Sequence, residues 1–304
     1  MSAFVIHGLC AATHTPFAAD GSLNLSAVEK QRDHLLARGV NQVFIGGSTG
    51  ESHSVSTSER WALAEHWMQV AKGTPMRVIV HVGSNNLRDA AELAAHAQQV
   101  GAAAVSMLAP SYFKPRSLTD LIACCEMVAK AAPALPFYYY DIPVLTGVNF
   151  SMEEFLNTAP ARIPNLAGIK YTNPDLMAYQ LARRGGGGKF DLPWGCDEFF
   201  LAALALGAKG AVGSTFNFAP GIYQRLQKAY ASGDMATAQA EQFRSVQLVQ
   251  VVAKRGYMGS AKALMTHLGV PVGPARLPNA NPDAAGVKAM IGELEAIGYF
   301  TWKD

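Results

Sequence analysis

The sequence predicts an α/β protein folded as a (β/α)8 TIM barrel with a C-terminal helical extension. Three observations predict it. Short apolar runs alternate with longer amphipathic ones, the runs begin 20 to 35 residues apart, and residues 233–304 carry helical patterns only. Buried parallel strands read as continuous apolar runs, and intervals of this length leave room for a crossover helix between neighbours. The expected strands are Leu9–Thr13, Val43–Ile45, Val78–His81, Ala104–Leu108, Phe137–Tyr140, Leu166–Tyr171, Asp191–Trp194 and Ala211–Gly213. Eight βα units are complete by residue 232, so residues 1–232 are assigned to the barrel and 233–304 to helices packed on it.

The intervening helices carry start and stop signals. Ser26-x-x-Glu29, Ser56-x-x-Glu59 and Ser151-x-x-Glu154 fit a capping box, in which two side chains satisfy orphan backbone N–H groups. Gly39, Gly73 and Gly101 fall where left-handed C-terminal caps belong. Gly185–Gly188 reads as a flexible loop between the sixth and seventh strands. The tail is expected to form helices over Met235–Lys254, Ser260–Leu268 and Asp283–Ile297.

Composition narrows the function. Apolar residues make up 50% of the 304-residue chain and charged ones 16%, against about 25% charged in an average globular domain. Such a chain buries a large core. The 25 Lys and Arg nearly balance the 23 Asp and Glu, and a net charge of +2 gives no electrostatic reason to expect nucleic acid or an anionic membrane. Uncharged stretches such as Gly101–Phe113 are too short to span a bilayer, and the start MSAFVIHGLC lacks the basic residue that precedes a signal peptide's apolar run. Four Cys, two of them adjacent at 124 and 125, are too few for a disulfide framework and have no zinc spacing. Reduced thiols in a cytoplasmic protein are the expectation.

In such a barrel chemistry sits at the C-terminal ends of the strands, and polar residues fall there. The second strand runs into Gly46-Gly47-Ser48-Thr49-Gly50-Glu51, where glycines permit a tight turn and two hydroxyls can donate to a carboxylate or phosphate. A plain glycine-rich turn explains the same residues. The sixth strand carries Lys170 in GIKYT. An ammonium in an apolar strand costs several kcal/mol, and either an ion pair or a neutral amine available for Schiff-base chemistry resolves that cost.

The fifth strand ends in Tyr138-Tyr139-Tyr140-Asp141, and alternation sends Tyr138 and Tyr140 to one side. A phenol beside a reactive lysine can relay protons. Core packing is the favoured reading for Tyr138 and Tyr139 and stays open for Tyr140. After the seventh strand, Gly195-Cys196-Asp197-Glu198 could grip a polyol or merely N-cap a helix, and Ser214 follows the eighth. His14 and His81 also end strands, but nothing pairs them with a carboxylate or a metal motif. His53 belongs near the start of the second helix.

Taken together, GGSTGE, Tyr140 in YYYDIP and Lys170 in GIKYT resemble the dihydrodipicolinate synthase/N-acetylneuraminate lyase family of class I aldolases. The resemblance runs from GLCAATHTPF to MGSAKALM and GVPVGPARLP, nearly the whole chain. It implies a (β/α)8 barrel with a C-terminal helical segment and no metal or organic cofactor. It implies that Lys170 condenses with the keto carbon of a pyruvoyl unit, that Ser48 and Thr49 hold its carboxylate, and that Tyr140 moves the proton at the reacting oxygen. Tyr112 in APSYFKP matches a family tyrosine that reaches the neighbouring subunit's site, so a homo-oligomer, at least a dimer and usually a tetramer, is implied.

Within the family, the position two residues after Pro143 is Leu145 where dihydrodipicolinate synthases carry an Arg for their second carboxylate. Thr172, Gly195, Asp197, Glu198 and Ser214 resemble the lyase wall for a polyhydroxylated chain. The resemblance therefore implies reversible cleavage of N-acetylneuraminate to pyruvate and the amino sugar N-acetylmannosamine. The alternatives are another pyruvate-dependent aldolase or dehydratase of the family, or a non-catalytic keto-acid or sialic-acid binder. Asp141 stands where such lyases often carry Asn or His, and alternation points it away from Tyr140.

Overall fold

The structure, a computed structural model, describes residues 4–304. Seven strands, β1 (Gly8–Ala12), β2 (Gln42–Ile45), β3 (Arg77–His81), β4 (Ala104–Leu108), β5 (Phe137–Asp141), β6 (Leu166–Tyr171) and β7 (Gly210–Gly213), form one parallel sheet. Its hydrogen-bonded order is β6-β5-β4-β3-β2-β1-β7. The predicted strand at 191–194 closes the gap between β6 and β7. Ile169 N–H donates to Asp191 O and Tyr171 N–H to Pro193 O, while Trp194 N–H donates to Gly210 O and Val212 N–H to Trp194 O. The segment forms isolated bridges rather than a regular strand. Pro193 has no N–H to give a ladder. The result is the closed eight-membered barrel.

The period-two alternation sorts the side chains into two cores. Cys10, Phe44, Ile79, Leu108, Tyr138 and Tyr140 point into the barrel. Val43, Val80, Met107, Tyr139, Ile169 and Tyr171 point outward against the helices. Tyr139 packs on Phe155 at 5.2 Å between ring centroids, which fulfils the core-packing reading for that residue. Tyr138, at the opposite end of the barrel interior from the strand C-termini, donates its hydroxyl to Asp191 at 2.8 Å. It too is a packing residue.

Helix signals are met at Ser56, where both arms of the capping box form, and at Ser151, whose hydroxyl accepts from Glu154 N–H. Ser26 departs from expectation. Its hydroxyl bonds Asn24 instead, because a turn already begins there with Ala27 N–H donating to Asn24 O. Gly39, Gly73 and Gly101 adopt positive φ as helix stops. The four glycines 185–188 form a 3-10 turn, with left-handed backbone at Gly186 and Gly187.

The tail folds as helices Met235–Ala253, Tyr257–His267, Ala284–Ala296 and Tyr299–Trp302. Arg225 anchors it by pairing with Glu241 at 3.0 Å and donating to the carbonyl of Trp302. Tyr299 donates to Phe218 O at 2.6 Å. No described helix is long and apolar enough to cross a membrane.

Candidate active site

At the C-terminal mouth of the barrel lies a cavity of about 250 Å³. Lys170 and Tyr140 sit side by side on its floor because Tyr140 of β5 is paired in register with Lys170 of β6, and both point inward. Lys170 is 4% exposed. Its amine lies 3.8 Å from the centroid of the Tyr140 ring and 4.1 Å from that of Phe44. It forms no ion pair among the described residues.

The loop after β2 turns tightly, with φ of 63° at Gly46 and 55° at Glu51, the only non-glycine residue with positive φ among those described. Glu51 N–H donates to Ser48 O and Ser52 N–H to Gly47 O, and these bonds close the turn. The N–H groups of Ser48 and Thr49 have no acceptor among the described residues. Thr49 lines the cavity, and the Ser48 hydroxyl is 3.3 Å from that of Tyr140. Two free amides and two hydroxyls on one turn are donors of the kind that can receive a carboxylate.

His81 supports this loop from below. Its Nδ1–H donates to Gly46 O at 2.8 Å, which fixes the tautomer, and burial holds its pKa well below the usual imidazole value. His14 is buried with neither ring nitrogen partnered among the described residues, and burial holds its pKa at about 3. Both are neutral, and neither lines the cavity. His53 is exposed in the turn before helix Thr57–Ala71, as expected.

The loop is also clamped from the tail. The Glu51 carboxylate accepts from the Lys262 amine at 2.7 Å and from Arg276 N–H at 2.8 Å. Lys262, fully buried on helix Tyr257–His267, donates to Thr15 O and Pro274 O as well. All three protons of this ammonium are therefore used.

The opposite wall comprises Thr172, Gly195, Asp197, Glu198 and Ser214, all five of the residues assigned to it from the sequence. Gly195 is required here, since a Cβ would lie 1.9 Å from the Thr172 hydroxyl. Gly213 likewise leaves room for Asp197, whose Oδ1 would be 2.1 Å from a Cβ. Asp197 caps no helix. Its Oδ2 accepts from Thr215 N–H at 2.9 Å and Thr215 Oγ at 2.6 Å. Burial pushes its carboxyl up to about 6, and the two Thr215 bonds act in the opposite sense. Above that pH the ionised group accepts charge-assisted hydrogen bonds from hydroxyls, and below it the neutral carboxyl accepts more weakly. KM for a polyhydroxylated acid should therefore rise as pH falls through 6, by up to about tenfold per unit, while KM for a short keto acid stays flat. Steady-state kinetics between pH 5 and 8 check this.

Four lining residues were not anticipated: Ala12 and Val212 from the barrel strands, and, more telling, Val249 and Tyr257. The latter two come from the helical tail, and the Tyr257 hydroxyl bonds that of Ser214 at 2.7 Å. Tyr112 is not on the cavity of its own chain. It is 79% exposed, beside Phe113 at 86%, on a loop held by Asn85 Oδ1 accepting from the amides of Ser111 and Tyr112. Asp141 is buried on the outer face of β5, away from Tyr140, where burial raises its pKa to about 7. Leu145 is exposed in the short helix Pro143–Thr146.

Fold and site together define a (β/α)8-barrel enzyme with a polar cavity at the C-terminal mouth. The family model for the dihydrodipicolinate synthetase family matches residues 5–296. An N-acetylneuraminate lyase of Gallus gallus is 39% identical over 303 residues, covering 98% of this chain and 97% of that one. The solved structure of Proteus mirabilis N-acetylneuraminate lyase superposes with a TM-score of 0.93 at 36% identity, covering 96% of this chain and 99% of that chain. A lysine-bound dihydrodipicolinate synthase of Cyanidioschyzon merolae gives 0.89 at 28% identity, covering 96% and 98%. The chain belongs to the dihydrodipicolinate synthetase family.

Proposed function

We propose that the protein is a Schiff-base aldolase that reversibly cleaves N-acetylneuraminate to N-acetylmannosamine and pyruvate. One observation carries the reading: Lys170, with no ion pair among the described residues, meets Tyr140 and the Ser48–Thr49 turn at one end of a cavity whose other end is lined by hydroxyls and carboxylates. The similarity to lyases over nearly the full chain supports it.

In the proposed reaction the free Lys170 amine adds to C2 of the open-chain sugar acid, and loss of water with uptake of one solvent proton, released again at the final hydrolysis, gives a protonated imine. Ser48 and Thr49 hold the adjoining carboxylate. The imine draws the electron pair of the C3–C4 bond as that bond breaks, leaving an enamine. Tyr140 receives the C4 hydroxyl proton while passing its own to the Ser48 hydroxyl, which hands its proton to the carboxylate it holds, and one proton returns along this relay to C3 of the enamine. N-Acetylmannosamine departs, C3 is protonated, and water hydrolyses the imine to pyruvate and the free amine. Asp197, Glu198, Thr172 and Ser214 hold the polyhydroxylated chain, with Gly195 giving Thr172 room. Leu145 offers no cation to a second carboxylate, which disfavours dihydrodipicolinate synthesis. Tyr112 is assigned to a neighbouring subunit's site in a cytoplasmic homo-oligomer, of which the tetramer is the expected form.

The assay is direct. Incubation with N-acetylneuraminate should release equal amounts of pyruvate and N-acetylmannosamine. Faster turnover of 2-keto-3-deoxygluconate would reassign the protein to a short-chain aldolase, and tight binding without turnover would make it a binder.

A further inference from the structure

Behind the polar wall, a chain of buried hydroxyls runs from Asp197 to the helical tail. Thr215 Oγ is 2.6 Å from Asp197 Oδ2 and 2.6 Å from the hydroxyl of Tyr223, which is 2.7 Å from Ser245 Oγ. Thr215, Tyr223 and Ser245 are fully buried. Their residues come from three places: the turn after β7, helix Pro220–Ala231 and helix Met235–Ala253.

The direction of the chain follows from proton counting. A carboxylate can only accept, and each hydroxyl has one proton to give. Thr215 donates to Asp197, so it must accept from Tyr223, and Tyr223 must accept from Ser245. Each link fixes the rotor of the next, and hydrogen bonds in series strengthen one another. Tyr223 is itself wedged by the Phe216 ring at 4.7 Å.

The consequence falls on Asp197. Oδ2 is saturated by the two donors of Thr215, whereas Oδ1 has no partner among the described residues and lies over Gly213 at the cavity wall. The same helix grips the Asp197 turn a second time, where Gln242 donates to Asp197 O at 3.2 Å and accepts from Leu201 N–H at 2.7 Å. Gln242 and Ser245 lie one helical turn apart, on one face.

We propose that Tyr223 and Ser245 are positioning residues for Asp197. Through Thr215 they present a single carboxylate oxygen to the hydroxyls of a long substrate, so helix Met235–Ala253 contributes to substrate length selection without touching the substrate. The inference rests on the proposed assignment of this wall to a polyhydroxylated chain.

The experiment compares Tyr223→Phe and Ser245→Ala with the parent enzyme on N-acetylneuraminate and on 2-keto-3-deoxygluconate, with borohydride trapping of pyruvate as a third readout. In Tyr223→Phe, KM for N-acetylneuraminate should rise about fivefold with kcat nearly unchanged. KM for the short acid and the yield of pyruvate adduct should stay within twofold. Ser245→Ala should show the same pattern, weaker. Thr215→Ser, which keeps the donor, should restore discrimination that Thr215→Val loses. Equal KM changes on both acids, or none on either, would overturn the positioning role while leaving the aldolase reading intact. A parent enzyme that forms no adduct and cleaves neither acid would overturn that reading and this inference with it.

Discussion

Lys170→Met should lower cleavage by at least about 10⁴-fold, about 5.5 kcal/mol in the barrier, and should leave the fold as stable as before or more so. The size follows from the role: without an amine no imine forms, and the C3–C4 electron pair has nowhere to go. The stability half follows from the surroundings. The amine of Lys170 has aromatic rings for neighbours and, among the described residues, no carboxylate within ion-pair distance. A methionine of similar length fills the space between Phe44 and Tyr140 and removes the cost of burying a polar head. Steady-state rates and a melting curve on the same sample test both halves. A large activity loss accompanied by a large fall in Tm would make Lys170 a structural residue and not the nucleophile.

The second large effect is expected at the other buried lysine. Lys262→Met should destabilise the fold by about 3–5 kcal/mol, because it strands the Glu51 carboxylate without its counter-ion in a site with no exposure of either side chain. Glu51 also closes the turn that displays Ser48 and Thr49, in a left-handed conformation that a non-glycine residue adopts only under outside constraint. The Ser48–Thr49 turn should loosen, raising KM for pyruvate in the synthetic direction about tenfold. Adding Glu51→Gln removes the stranded charge and should recover at least about 2 kcal/mol, without restoring pyruvate affinity. Denaturant melts and initial rates measure the two. Retention of parental stability in the single variant would show that the pair is not what holds the loop.

These two lysines show what the sequence could and could not convey. Lys170 stood out because an ammonium interrupts an apolar strand, and the same reasoning applies to Lys262 between Ala261 and Ala263 on an apolar helix face. The sequence allows either outcome for each, an ion pair or a free amine. Only the fold decides, because the partner of Lys262 lies 211 residues away at Glu51. The wall residues Val249 and Tyr257 and the Tyr223–Ser245 relay were hidden for the same reason, since they belong to helices whose periodicity says only that one face is buried. Tyr257 carried a weak signal as an aromatic with a polar tip at the start of a helix. The barrel itself was legible because strand alternation is local: it put Tyr138 and Tyr140 on one side of the strand and Tyr139 and Asp141 on the other, and the fold shows that the first side is the interior. The capping signal at Ser26 failed because Asn24, two residues upstream, offered its hydroxyl a competing partner.

The central claim is that the amine of Lys170 forms the imine. Sodium borohydride added to the enzyme with pyruvate should leave one reduced pyruvate adduct, and peptide mapping by mass spectrometry should place it on Lys170. No adduct, or an adduct on any other lysine, would contradict the account.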